Sequence, residues 1–146
     1  PLVRQVKQGR EQGLRYLLHI GSFDKRKNLP VLVQAFQKLI QNGYSQFRLV
    51  LVGESSAKQH TNATSDVLHA IETNGMEDFV IRTGYLPDGT LPFIYANAFM
   101  YVFPSVNEGF GLPVVEAFLF DVPVIVADNT CLPEIGGDAV LGLDPY

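Results

Sequence analysis

The residues best suited to chemistry lie in one short stretch, 105–116. It reads Ser105-Val106-Asn107-Glu108-Gly109-Phe110-Gly111-Leu112-Pro113-Val114-Val115-Glu116. Gly109 and Gly111 remove two Cβ atoms where a loop opens into a helix, so backbone N–H groups can approach a ligand closely. Helix N-termini attract anions through those N–H groups and the helix dipole. Two glycines alone fit a plain strand-to-helix turn equally well. The carboxylates add something different. Glu116 stands among Val114, Val115, Ala117, Phe118 and Leu119, where a charge is costly unless it faces an open end or has donors. Sugar and ribose hydroxyls are such donors, because an ionised carboxylate accepts from two of them at once. The plainer alternative places Glu116 on a solvated helix face.

A second cluster, Lys25-Arg26-Lys27, holds three of the eleven cationic residues and lies just before a helix start. The dipole disfavours cations there, which suggests a compensating anion such as a diphosphate. A solvated charged loop is the competing explanation. The three histidines are weaker candidates. His19 sits in an apolar run and reads as a packed core residue, while His60 and His69 lack an obvious carboxylate partner. No Asp-x-Asp pair occurs, so no metal or other cofactor is expected; the phosphate charge would be met by Lys27 and helix N-termini. The first strand is not followed by Gly-x-Gly-x-x-Gly, which argues against a dinucleotide oxidoreductase.

The elements that must position these residues follow from periodicity. Residues 16–20 read as a strand closed by Gly21. Leu32, Ala35, Phe36, Leu39 and Ile40 form one apolar stripe of a helix, with Asn28 as N-cap, Pro30 in its first turn and Gly43 at its end. Residues 47–52 predict a buried strand, and Val67, Leu68 and Ile71 a helix ended by Asn74-Gly75. Residues 79–81 predict a third strand and 91–96 a short helix with Pro92 in its first turn. Residues 99–103 predict a fourth strand, 113–120 a helix, 122–127 a fifth strand and 139–143 a sixth. Alternating strands and helices, with several strands apolar throughout, predict an α/β fold: a doubly wound, Rossmann-like parallel sheet. Ligands bind such sheets at the carboxyl ends of the strands. Residues 1–14 read as a polar linker or arm, and 15–146 as the ligand-binding domain.

Composition narrows the class. At 146 residues with 47% hydrophobic content the chain supports one core. A net charge of −4 argues against nucleic acid as the main partner. Cys131 is the only cysteine, excluding an internal disulfide and fitting a reducing compartment. No apolar run reaches the roughly 18 residues of a membrane span, and no signal peptide is apparent, so a cytoplasmic location is expected. A start at Pro1, without Met, suggests a piece of a longer chain.

Glu108 and Glu116, spaced as Glu-x7-Glu within residues 104–116, resemble the donor-site motif of retaining GT-B enzymes of glycosyltransferase family 4. Residues 21–28, Gly21-Ser22-Phe23-Asp24-Lys25-Arg26-Lys27-Asn28, are similar to that family's phosphate-contacting loop. Thr83-Gly84-Tyr85-Leu86, the segment 91–98, Leu132-Pro133-Glu134 and Gly137-Asp138-Ala139 match in order and spacing, so the resemblance spans residues 16–145. It implies one half of a GT-B fold, the C-terminal half that binds a nucleoside-diphosphate sugar. Lys27 would pair with the donor phosphates, with Arg26 and the position of Ser22 beside it. Glu108 would hold hydroxyls of the transferred sugar, making Lys27 and Glu108 the catalytic pair. Backbone groups of Gly109, Phe110, Gly111 and Leu112 would contact phosphate or sugar, Glu116 the ribose, and Gly84 and Tyr85 would lie beside the base.

The chain departs from the pattern twice: Ser22 stands where many members carry Arg, and Asp121 where many carry Gly. The Arg-Lys-Asn ending, frequent among mannosyltransferase-like members, points to a GDP- or UDP-sugar. A glycan or lipid-linked acceptor would bind an N-terminal domain absent from these residues. The full protein could associate peripherally with the inner face of a membrane. Three alternatives stay open: a GT-B sugar-nucleotide epimerase, a glycan phosphorylase, and a nucleotide-binding module without catalysis.

Overall fold

The computed structural model describes residues 11, 13–54 and 60–146. The arm expected over residues 1–14 falls almost wholly outside them. Among the described residues six strands form one sheet: β1 (Arg15–Ile20), β2 (Phe47–Val52), β3 (Val80–Gly84), β4 (Met100–Phe103), β5 (Val124–Ala127) and β6 (Val140–Leu143). Every pairing is parallel and the spatial order is β3-β2-β1-β4-β5-β6. The chain builds outward from β1 through β2 to β3, then returns to place β4 on the other side of β1. The winding thus reverses between β1 and β4, the switch point at which open sheets of this kind form a ligand crevice at the carboxyl edge.

Among the described residues these α-helices cover the sheet: α1 (Leu29–Gln41), α2 (Thr64–Thr73), α3 (Leu91–Ala96), α4 (Leu112–Phe118) and α5 (Leu132–Gly136). α1 and α2 pack one face through Leu29, Leu32, Val33, Phe36, Val67 and Ile71 against Leu49 and Leu51. α3, α4 and α5 pack the other through Ile94, Tyr95, Val114, Ala117 and Leu132 against Leu18, Tyr101 and Phe103. β2 is buried along almost its whole length, as its unbroken apolar run requires of a strand covered on both faces.

The sequence expectations differ from the structure at identifiable points. Asn28 does precede α1, but with φ 54° it is left-handed and its side chain makes no capping bond. Its amide instead donates to the Pro145 carbonyl at 2.9 Å. Residues 25–27, expected as loop, form a 3-10 turn. α5 was not anticipated either. Its five residues carry too little periodicity to register, and Pro133 and Glu134 alone mark its first turn. Asp121 follows α4 with φ 54°, the left-handed conformation expected there. Asp adopts it at some cost relative to Gly.

Candidate functional site

Both sequence clusters meet at the crevice between β1 and β4. The loop after β1 runs from Gly21 into the 3-10 turn Lys25–Lys27, and the loop after β4 runs from Pro104 to Gly111. The backbone joins them, because Val106 N–H donates to the Arg26 carbonyl at 2.8 Å. Side chains complete the joint. Lys27 Nζ donates to Glu108 Oε1 at 2.6 Å, and Arg26 Nη1 to Glu108 Oε2 at 2.7 Å and to the Asn107 carbonyl at 3.2 Å. Lys27 and Glu108 are nearly sequestered, with side-chain exposures of 7% and 8%, whereas Arg26 is 45% exposed. Lys27 Nζ also lies 4.5 Å from the centre of the Phe103 ring, a favourable cation–π position. The anion that the cationic cluster calls for is thus supplied within the chain, by Glu108.

This arrangement sets the protonation of the pair. Burial lowers the Lys27 pKa, and the contact with Glu108 opposes that without cancelling it. Burial pushes Glu108 up, but Lys27, Ser105 and Arg26 together hold it below the usual carboxylate range. Ser105 Oγ is fully enclosed and makes no hydrogen bond of good geometry; its dipole still acts in the same direction. Each partner therefore favours the charged form of the other across the 2.6 Å contact.

Glu116 sits on α4, half-buried and still reaching solvent, and it forms no ion pair among the described residues. The Tyr95 hydroxyl on α3 donates to its Oε2 at 2.8 Å. Tyr95 is held protonated, its pKa raised by burial first and by Tyr101 and Glu116 in turn. The phenol fixes one carboxylate oxygen in place with a neutral partner. Sequence reasoning missed Tyr95, since nothing in its spacing ties it to Glu116, 21 residues away.

The remaining candidates distribute around this centre. Gly111 precedes α4 with φ 86°, and a Cβ there would come within 2.8 Å of Leu132 Cδ2, so glycine serves both conformation and packing. Gly109, Phe110 and Leu112 are exposed along the loop and the first turn of α4. Gly84 closes β3 and its carbonyl accepts from Gly53 N–H at 2.9 Å. Tyr85 follows with its side chain 70% exposed. Ser22 does not point freely into the crevice: its hydroxyl donates to Asp24 Oδ2 at 2.5 Å. Asp24 Oδ1 also accepts from Thr61, and Asp24 pairs with Asn62 in an antiparallel bridge, so this carboxylate pins the loop after β1 to the loop after β2. Among the described residues no group of three His, Cys, Asp or Glu is placed to hold a metal ion, and no helix is long and apolar enough to cross a membrane.

A parallel sheet of this order, with charged side chains gathered at its topological switch point, defines a Rossmann-like domain of the kind that forms one half of a GT-B enzyme. The sequence matches Glycosyl transferases group 1 over residues 4–143, and the chain belongs to that family. It is 41% identical over 131 residues to O-antigen chain mannosyltransferase B of Escherichia coli, covering 89% of this chain and 33% of the relative. The chain thus spans about a third of that protein's length. Among solved structures, sucrose-phosphate synthase from Thermosynechococcus elongatus superposes with a TM-score of 0.80 at 27% identity, covering 96% of this chain and 36% of that one. The C-terminal domain of a glycosyl transferase group 1 protein, LpcC, from Francisella tularensis shares the fold with a TM-score of 0.77 at 22% identity. That match covers 96% of this chain and 74% of the domain's chain.

Proposed function

We propose that this chain is the donor-binding part of a retaining hexosyltransferase of glycosyltransferase family 4, and that it binds a nucleoside-diphosphate sugar in the β1/β4 crevice. The observation that carries this reading is the sequestered Lys27–Glu108 pair at the switch point. A buried ammonium held by an exchangeable carboxylate is suited to receive a diphosphate, because phosphate oxygens can replace the carboxylate oxygens as acceptors. In this reading Lys27 pairs with the donor phosphates and stabilises charge on the departing diphosphate. Glu108, released, turns to hydroxyls of the transferred sugar. Arg26, at the rim, assists the phosphates; Ser22 contributes through the loop it shares with Asp24. Glu116 has one oxygen held by Tyr95 and keeps the other for ribose hydroxyls. Gly109, Phe110, Gly111 and Leu112 line the approach to the sugar phosphate, and Gly84 and Tyr85 flank the base. No metal is assigned a role.

The donor is a GDP- or UDP-sugar. Mannose is the first sugar to test, because O-antigen chain mannosyltransferase B is a close relative. Its acceptor is a glycan or a lipid-linked glycan brought by an N-terminal domain of the longer protein, with peripheral attachment to the inner face of a membrane consistent with such an acceptor. These 146 residues bind nucleotide without transferring sugar. Calorimetric titration with GDP, UDP and ADP, repeated on Lys27→Ala and Glu116→Ala, tests the site. Weakened binding in both variants is expected, and unchanged binding in both refutes the assignment. Sugar transfer by this chain alone would refute the division of labour.

A further inference from the structure

His19 occupies β1 one turn of the pleat before the crevice, and its environment is unusual for a core histidine. The ring is completely buried, with ring centroids 6.3 Å from Tyr101 and 5.8 Å from Phe103. Nδ1 lies 3.0 Å from the Val102 carbonyl, and a carbonyl only accepts, so Nδ1 carries the proton. Nε2 is then a bare lone pair, buried and with no hydrogen-bond partner among the described residues. Such orphans are costly and rare in native interiors. A leucine or phenylalanine would fill the same space without one.

The orphan has a definite outlook. A Cβ built on Gly21 would meet His19 Nε2 at 3.3 Å, Lys27 Cε at 3.5 Å and Lys27 Nζ at 3.7 Å. The imidazole lone pair and the Lys27 ammonium therefore border the same small space above Gly21. An ammonium has three N–H donors, and among the described residues one of those of Lys27 goes to Glu108 Oε1.

Resting on the donor-site reading above, we infer that His19 is a positioning residue whose Nε2 becomes an acceptor for the Lys27 ammonium when Glu108 releases it to a diphosphate. One N–H of Lys27 then points to Nε2 and the others are free for phosphate oxygens. The ammonium stays above Gly21 instead of following the ligand outward. The charged groups around the imidazole suit this exchange: Lys27 and Glu108 both act on the ring, and burial keeps it neutral with its pKa pushed down to about 4. His19 touches neither phosphate nor sugar in this role and works through Lys27.

The test uses this chain labelled with 15N at histidine, reading both ring nitrogens by long-range proton–nitrogen NMR. In the wild type His19 shows the Nδ1–H tautomer with a bare Nε2. In Glu108→Ala, and in the wild type on adding GDP or UDP, the Nε2 resonance moves in the direction of an accepted hydrogen bond; Lys27→Met abolishes both movements. Calorimetry adds a second reading. His19→Phe weakens the nucleoside diphosphate about tenfold, the effect of one lost hydrogen bond to a charged group. His19→Gln, which keeps an oxygen near the Nε2 position, recovers part of the loss. A proton on Nε2, or an Nε2 resonance unmoved in Glu108→Ala, overturns the proposal. Should the wild type bind neither nucleotide, the donor reading fails, and the Glu108→Ala spectrum still decides the His19–Lys27 contact. That arm replaces neither ring nor lysine, so it survives any folding defect of the His19 variants.

Discussion

Two glutamates eight residues apart in one motif have acquired opposite environments. Glu108, in the loop, has both oxygens engaged by cations, Lys27 inside and Arg26 at the rim. Glu116, two turns away on α4, is held by the neutral Tyr95 hydroxyl through one oxygen. The difference lies in what each can exchange. A carboxylate in an ion pair competes directly with any incoming anion for its cation. A carboxylate held by a phenol repels an anion but remains open to hydroxyls. One end of the motif thereby faces cations and the other a neutral hydroxyl, although the residue type is the same.

Acid should separate the two ends most strongly. His19, on the Glu108 side, has its pKa pushed from 6.5 to about 4. The folded protein thus keeps it neutral where the unfolded chain protonates it. Stability is full above pH 6.5 and falls towards pH 4, by about 3 kcal/mol in total. Glu108, whose pKa is lowered, contributes above the ordinary carboxylate pKa and loses that contribution only as pH drops through its own lower value. Urea midpoints measured against pH should show the first loss in the wild type and not in His19→Phe.

Replacing the cation comes next. Lys27→Met leaves Glu108 buried with the half-exposed Arg26, and should cost about 2 kcal/mol of stability by denaturant unfolding, less than the roughly 3–5 kcal/mol of a fully broken buried pair because Arg26 remains. On the other side, Tyr95→Phe removes one hydrogen bond to a carboxylate that still reaches solvent, and about 1 kcal/mol is expected. A Tyr95→Phe loss as large as that of Lys27→Met would erase the contrast. The smallest effect belongs to Arg26→Ala. An exposed pair is worth less than about 1 kcal/mol and is screened by salt, so this loss should vanish at high ionic strength while the Lys27→Met loss persists.

Much of this molecule was legible in the chain. Six apolar runs and a helical stripe of Leu32, Phe36 and Leu39 fixed an alternating α/β order, since strand and helix periods differ and each run is long enough to display its own. The short helix α3 was legible as residues 91–96, but two other short elements were not. α5 and the 3-10 turn at Lys25–Lys27 are set by what they pack on, and three to five residues have no period. Asn28 shows the same limit at one position: a residue well suited to capping donates instead to Pro145, 117 residues away.

The sequence by itself determined which charged residues stand among apolar neighbours or crowd a helix start, because residue type and neighbours determine the cost of burying a carboxylate or an ammonium. It named Lys27, Glu108 and Glu116, and it read His19 as core. Only the tertiary structure decided that Lys27 and Glu108, 81 residues apart, face each other as a pair, that Tyr95 holds Glu116, and that the lone pair of His19 opens beside the lysine. The physical reason is the strand order. Placing β4 beside β1 brings two distant loops to one crevice, and the short range of hydrogen bonds makes partners of whatever the sheet sets within about 3 Å.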